Sequence, residues 1–430
     1  MKKLLFFFIF LMVCWGIKAQ KISVFDETEV VKENWEPVIP RPEQEKIATQ
    51  KLKDLEAKAL ATAGYHSALI GKWHIGEGEN MLPHEVGFDY YFGLPAVQSD
   101  YTQFLWERQY SDMINNKEIH DKAFQMKPEG LIKGVKGGKR EVGFPIENID
   151  DMREVEGLLR DESVKFIREN AGKKEPFLLV HSFTGIHNDT YCGKEYIGKS
   201  PAAMPVKDCF VEVDDIVGQL MKVLAETGEL ENTFVFFTSD NGANEDVFPD
   251  AGFQPWRGGK GTTWEGGVRV PGIAYWKGMI EPGQESNELI DLTDIYMTTL
   301  RFGGVTDKLP TNLYYDGIDQ ADFILAQNGR SKRQAEFLWN GTDFCAVRWK
   351  DYKVHFRVFD TQVPRRNLDA TVLLNIGTSP WVFNLNVDPK EQASTGHQLF
   401  EWGMPAVLAF QKRHLATMKK YPNTDLGLGI

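Results

Sequence analysis

The apolar positions of this chain change period several times, and each change marks an element. Lys2 and Lys3 are followed by an unbroken apolar run from Leu4 to Val13, then Trp15 to Lys18 and Ala19 before Gln20. A basic start, an apolar run of about ten residues and a small residue at the exit read as an export leader over residues 1–19. The run is short of the about 20 residues needed to span a bilayer, and no later stretch is long enough. Residues 20–45 are polar, and Pro37, Pro40 and Pro42 break any helix, so they read as an arm. Over 43–63, Ile47, Leu52, Leu55 and Ala59 recur on one helical face, and after Gly64-Tyr65 the run Ser67-Ala68-Leu69-Ile70 reads as a short buried strand.

Further on, helical and strand periods alternate. Met152, Val155, Leu158, Leu159, Val164 and Ile167 predict a helix, and Pro176–Phe183 a strand. Phe210, Val213, Ile216, Val217, Leu220, Met221 and Leu224 predict a second helix, with an apolar strand at Thr233–Thr238. This is the pattern of an α/β domain with a mostly parallel central sheet flanked by helices, here over residues 46–329. In such sheets functional groups gather at the carboxyl ends of strands. From about residue 330 the pattern shortens into aromatic-rich segments at Phe337-Leu338-Trp339, Phe344–Trp349, Tyr352–Phe356 and Trp381–Leu385, followed by a helix near Pro405–Met418. Residues 330–430 therefore read as a small C-terminal α+β domain with an antiparallel sheet.

Composition narrows the functional classes. The chain has 430 residues, 42% of them hydrophobic, which is ample for two cores. Forty-nine basic against sixty-one acidic residues leave a net charge of −12, and no basic stripe stands out to track a phosphate backbone. Nucleic-acid binding is thereby disfavoured, and an anionic substrate would need a locally positive pocket. The cysteines are Cys14, Cys192, Cys209 and Cys345. Without the leader three remain, so at least one is unpaired. Cys192 and Cys209 could close a loop in an oxidising compartment or stand as buried thiols. No Cys/His spacing suggests zinc.

Three blocks carry the candidate chemistry. Gly71-Lys72-Trp73-His74-Ile75-Gly76 follows the strand at Ser67, and in an extended stretch Lys72 and His74 would point to the same side. His187 follows the strand ending at Phe183. Asp240-Asn241-Gly242 follows the strand at Thr233 and leads to the run Arg257–Gly267, which contains Lys260. Adjacent Asp and Asn offer hard oxygen ligands for calcium or magnesium, although the triplet is equally good turn chemistry. The glycines around Lys260 would let backbone approach a ligand closely. Two lysines, two histidines and an Asp-Asn pair at strand ends would make a pocket for a tetrahedral anion against a hard cation.

With these blocks the sequence resembles the sulfatase family of the alkaline phosphatase-like superfamily. Gly64-Tyr65 with Gly71–Gly76 is similar to one family signature, and Val86–Gly93, Thr238–Gly242 and Arg257–Gly272 resemble further family blocks. The resemblance implies hydrolysis of an aryl or carbohydrate sulfate, with a sulfated small molecule or glycan as partner. It implies that Asp240 and Asn241 are ligands of Ca2+, that Lys72 and Lys260 hold sulfate oxygens, that His74 assists the nucleophile and that His187 protonates the leaving alcohol. It also implies an exported protein, periplasmic or extracellular.

The resemblance stops at the nucleophile. Sulfatases convert a cysteine in a Cys-x-Pro-Ser-Arg or Cys-x-Ala-x-Arg context to formylglycine, and none of the four cysteines has that context. The nearest acidic pair to the family's other metal ligands is Asp26-Glu27, in front of the proline-rich arm. Leu55–Lys58 runs straight into Ala63-Gly64-Tyr65, where the family places a first strand, the metal pair and the nucleophile. The gap reads as the absence of one contiguous block, either a deletion in the gene or an error in the recorded gene sequence. The chain is therefore expected to lack its first strand and to be inactive or impaired as a hydrolase. A non-catalytic binder of sulfated glycans and a related phosphoesterase are the other readings.

Overall fold

The computed structural model describes the backbone of residues 3–9 and residues 64–76, 78, 80–98, 101, 129–187, 189–244, 254–306, 309, 314–359, 373–376 and 379–421. The proline-rich arm, the helix expected over 43–63 and the pair Asp26-Glu27 lie outside these residues.

Eight strands form the main sheet. They are β1 (Lys3–Ile9), β2 (His66–Gly71), β3 (Tyr90–Gly93), β4 (Gly130–Val135), β5 (Glu141–Pro145), β6 (Phe177–Ser182), β7 (Thr233–Ser239) and β8 (Gly272–Tyr275). Their order is β5-β4-β3-β2-β6-β1-β7-β8. The five strands from β3 to β7 run parallel, and the edges β4, β5 and β8 join antiparallel. Along β6 the side chains alternate between two cores. Phe177 and Leu179 face one that contains Val155, Leu159 and Phe166 of α1 (Ile149–Asn170) and Val213, Ile216 and Leu220 of α2 (Pro205–Glu226). Leu178 and Val180 pack with Phe234, Trp276, Ile295 and Phe302 on the other side, where α3 (Leu292–Gly303) lies. Helices thus cover both faces, as the continuous apolar strands require. Both α1 and α3 begin at capping boxes, Asn148 with Asp151 and Asp291 with Asp294, and α3 stops at Gly304 in the left-handed conformation.

The apolar run of the expected leader also takes a place in the main sheet. The structure places Lys3–Ile9 between β6 and β7, with Leu4 opposite Leu178 and Phe234 and Phe8 opposite Ser182 and Thr238. A leader's apolar run and an apolar sheet strand share one pattern, which periodicity cannot separate. An empty slot would have left two strand edges unpaired in the middle of the sheet.

The C-terminal sheet has the order β14-β11-β10-β9, from β9 (Ala335–Asn340), β10 (Asp343–Trp349), β11 (Tyr352–His355) and β14 (Trp381–Asn384), all antiparallel. A short pair, β12 (Arg357–Phe359) and β13 (Leu373–Asn375), lies apart from it. Helix α4 (Met404–Lys420) closes a core of Val347, Trp349, Val354, Val382, Phe400, Val407 and Phe410. The aromatic segments beyond residue 330 therefore form the antiparallel sheet and helix that their pattern predicts.

Candidate active site

The residues expected to carry chemistry sit past the carboxyl ends of three parallel strands. Strand β2 ends at Gly71, whose φ of +121° and a Cβ position only 1.8 Å from the Ser182 carbonyl oxygen admit no side chain. The chain then leaves the sheet under backbone control. Lys72 N–H donates to Ser182 O (3.1 Å), and Trp73 and His74 N–H donate to Leu94 O and Pro95 O (2.8 Å each). His74 is left-handed at φ +53°, so the stretch is not extended and the same-side argument from alternation fails. Strained backbone of this kind persists where neighbours hold it, often at functional positions.

Proximity nevertheless survives. Lys72 is buried, and His74 is pushed down to about 4 by burial and by the Lys72 and Lys260 charges. Asp240, just past β7, is pushed up to about 6 by burial, against the pull of the same two lysines. Lys260 Nζ lies 3.5 Å from His187 Nε2. Four of the expected residues, Lys72, His74, Asp240 and Lys260, thus share one electrostatic environment, and His187 joins them through Lys260. Asn241 follows Asp240, and its side-chain amide donates to Gly242 O (2.9 Å). His187 is placed by a turn whose N–H donates to Thr184 O, and that turn is held by buried Glu156, which accepts from Thr184 N–H, Thr184 Oγ1 and Gly185 N–H.

The glycines of this region also allow close backbone packing. A Cβ on Gly242 would stand 1.8 Å from Gly266 O, and one on Gly267 would stand 2.1 Å from Thr262 O. They let the loop pack backbone on backbone, with Gly242 N–H donating to Gly267 O and Lys260 N–H to Ala243 O.

Calcium does not fit the residues described. It takes six to eight oxygen ligands, whereas Asp240 and Asn241 supply two side chains beside two ammonium groups. Among the described residues, no cluster of three or more His, Cys, Asp or Glu side chains could hold a metal. No described cysteine offers a nucleophile here either. Cys192 and Cys209 are free thiols in contact with each other, and Cys345 in β10 donates to Asp343 O. Cys14 lies outside the described residues.

Sequence reasoning missed the support of the Lys260 loop. Glu265 sits inside the recognised block without a role, while Lys353, His355 and Glu391 come from the C-terminal domain in no recognisable motif. Their buried charge was the only available signal, and burial is not written in sequence.

A mostly parallel sheet with two lysines and two histidines gathered past its strand ends defines an α/β protein with a cluster of cationic and imidazole side chains at one end of the sheet. The chain matches the sulfatase family model over residues 57–305 and belongs to the sulfatase family. It is 32% identical over 348 residues to the N-acetylgalactosamine-6-sulfatase of Rattus norvegicus, covering 77% of this chain and 62% of that protein. It is 31% identical over 309 residues to the arylsulfatase of Hemicentrotus pulcherrimus, covering 70% of this chain and 51% of that protein. The crystal structure of PsFucS1 sulfatase from Pseudoalteromonas sp. superposes with a TM-score of 0.87 at 54% identity, covering 94% of this chain and all of that one. Against the mammalian and arylsulfatase relatives, the chain spans between about half and two thirds of their length.

Proposed function

We propose that the chain recognises the sulfate group of a sulfated small molecule or glycan, as a sulfatase-family protein whose own ester hydrolysis is lost or severely reduced. The observation that carries the reading is the convergence of Lys72, His74, His187 and Lys260, with Lys260 Nζ 3.5 Å from His187 Nε2. Two ammonium groups at a largely buried site are suited to tetrahedral anion oxygens, because charge-assisted hydrogen bonds strengthen where water is excluded. His74 is neutral at ordinary pH, so it can donate to an anion without adding charge. His187, beside Lys260, stands where a proton could pass to the oxygen leaving a sulfate ester. No covalent step follows from the described residues, since they supply neither the formylglycine context nor a calcium ligand set. Residues 1–19 retain the composition of an export leader, and we place the protein in the periplasm or outside the cell on that composition. Among the described residues no helix is long and apolar enough to cross a membrane.

Two measurements on the purified chain test the reading. Calorimetric titration with a sulfated oligosaccharide should give saturable binding that is absent for the unsulfated sugar. An aryl sulfate with added calcium should show no turnover above background. Equal heats for both sugars would remove the recognition claim, and measurable calcium-dependent turnover would remove the loss of hydrolysis.

A further inference from the structure

The Lys260 loop is closed at its base by one residue of the C-terminal domain. Glu391 is fully buried and left-handed at φ +51°, a conformation that costs a side-chain-bearing residue free energy and persists only when its surroundings over-determine it. Its carboxylate Oε2 accepts from the backbone N–H of Glu265 at 2.7 Å, while its own carbonyl oxygen accepts from Arg257 Nη1 at 2.7 Å. Arg257 and Glu265 are the two ends of the loop that carries Lys260, and they are tied to each other by Gly266 N–H donating to Arg257 O at 2.8 Å. The Arg257 guanidinium also lies 3.8 Å over the Trp264 ring.

Glu391 is itself held from behind. His355 Nε2 lies 2.8 Å from its Oε1, and Lys353 Nζ lies 3.6 Å from the same oxygen and 3.0 Å from Glu265 Oε1. Arg348 Nη1 lies 3.0 Å from Glu265 Oε2, and Arg269 Nη1 lies 3.8 Å from the same oxygen. Arg348, Lys353 and His355 come from β10 and β11, so the antiparallel sheet is the anchor and the loop is the anchored part. Two carboxylates taken out of water would be costly alone, and the cations with the backbone N–H make the cluster tolerable.

We propose that Glu391 is a positioning residue that fixes Lys260 in the sulfate pocket by clamping both ends of its loop to the C-terminal sheet; the role of Lys260 in this statement rests on the function proposed above. Glu391 touches no anion. It acts through Arg257 and Glu265, and its strained backbone is retained because a residue there must supply a carbonyl and a carboxylate at once.

The test compares Glu391→Gly and Glu391→Gln with the parent chain. Glycine relaxes the left-handed backbone but removes the carboxylate, whereas glutamine keeps an acceptor for Glu265 N–H. Hydrogen exchange should quicken about tenfold or more across residues 257–267 in the glycine variant while β9–β11 keep their protection, and the glutamine variant should stay near the parent. Unchanged loop exchange in Glu391→Gly would overturn the clamp. If Glu391→Gly does not fold, Arg257→Met frees the other end without touching the buried carboxylates and should quicken the same segment; unchanged exchange there counts equally against the clamp. Calorimetry with inorganic sulfate then reads the consequence for Lys260. Parent-level affinity in a loosened variant would overturn positioning. A parent chain that binds no sulfate would instead defeat the pocket reading, with loop exchange still deciding the clamp.

Discussion

At the scale of single residues, the pocket is governed by mutual charge. Lys72 and Lys260 both depress His74, and both oppose the rise of Asp240. Replacing Lys260 with alanine should therefore raise the His74 pKa above about 4, which imidazole NMR signals followed through a pH titration would report. The same change should weaken binding of a sulfated ligand by about 10- to 100-fold, the cost of one charge-assisted hydrogen bond. An unmoved His74 titration would mean that Lys260 does not face it in solution. Glycine matters here for backbone packing. Gly242→Ala would drive a methyl group into the Gly266 carbonyl, and backbone on both sides leaves little to yield. A loss of a few kcal/mol in chemical denaturation is expected, with the loop's exchange protection falling first.

At the scale of elements, buried ionic groups join the two domains. Arg333, just before β9, makes a bidentate pair with Asp294 of α3, with Nε–Oδ2 at 2.9 Å and Nη2–Oδ1 at 2.6 Å, and Asp294 is fully buried. Arg333→Met would strand that carboxylate and should cost about 3–5 kcal/mol, measurable by urea denaturation. On α2, Glu212 is pushed up to about 8 by burial and by Glu156. Its folded form holds a proton that the unfolded chain releases above its ordinary value of 4.5. This contribution to stability is complete below about pH 4.5 and is lost as pH rises through about 8. Melting temperatures taken from pH 5 to 8 should fall less steeply in Glu212→Gln than in the parent; parallel curves would show that Glu212 does not hold the proton.

The same scale shows how much was legible in the sequence. The helices at 149–170 and 205–226 and strands β2, β6 and β7 announce themselves because each buries a face at a fixed period. Lys72, His74, His187, Asp240, Asn241 and Lys260 were legible as blocks at strand ends. Glu391 was not, because its role depends on a contact 126 residues from Glu265 along the chain. Nor was β1 distinguishable from a leader, since Leu4 to Ile9 is equally apolar in either setting.

For the whole molecule, β1 is the member on which the sheet depends. Among the described residues it alone links β6 to β7, the strands that carry His187 and Asp240 past their ends. A chain beginning at Gln20 should therefore melt broadly and at lower temperature than the full chain, and its amides in β6 and β7 should exchange faster. Sharp, coincident melting of the two would show that β1 is dispensable to the sheet.

The position of β1 also imposes an order on synthesis. Lys3 pairs with Thr233, so Leu4–Ile9 has no complete set of neighbours until some 230 further residues have been made. At roughly 5–20 residues per second that interval lasts on the order of ten to fifty seconds. Throughout it, Leu4–Ile9 is open to any factor that captures nascent apolar segments. Any such capture would compete with strand pairing for the same seven residues until β7 arrives.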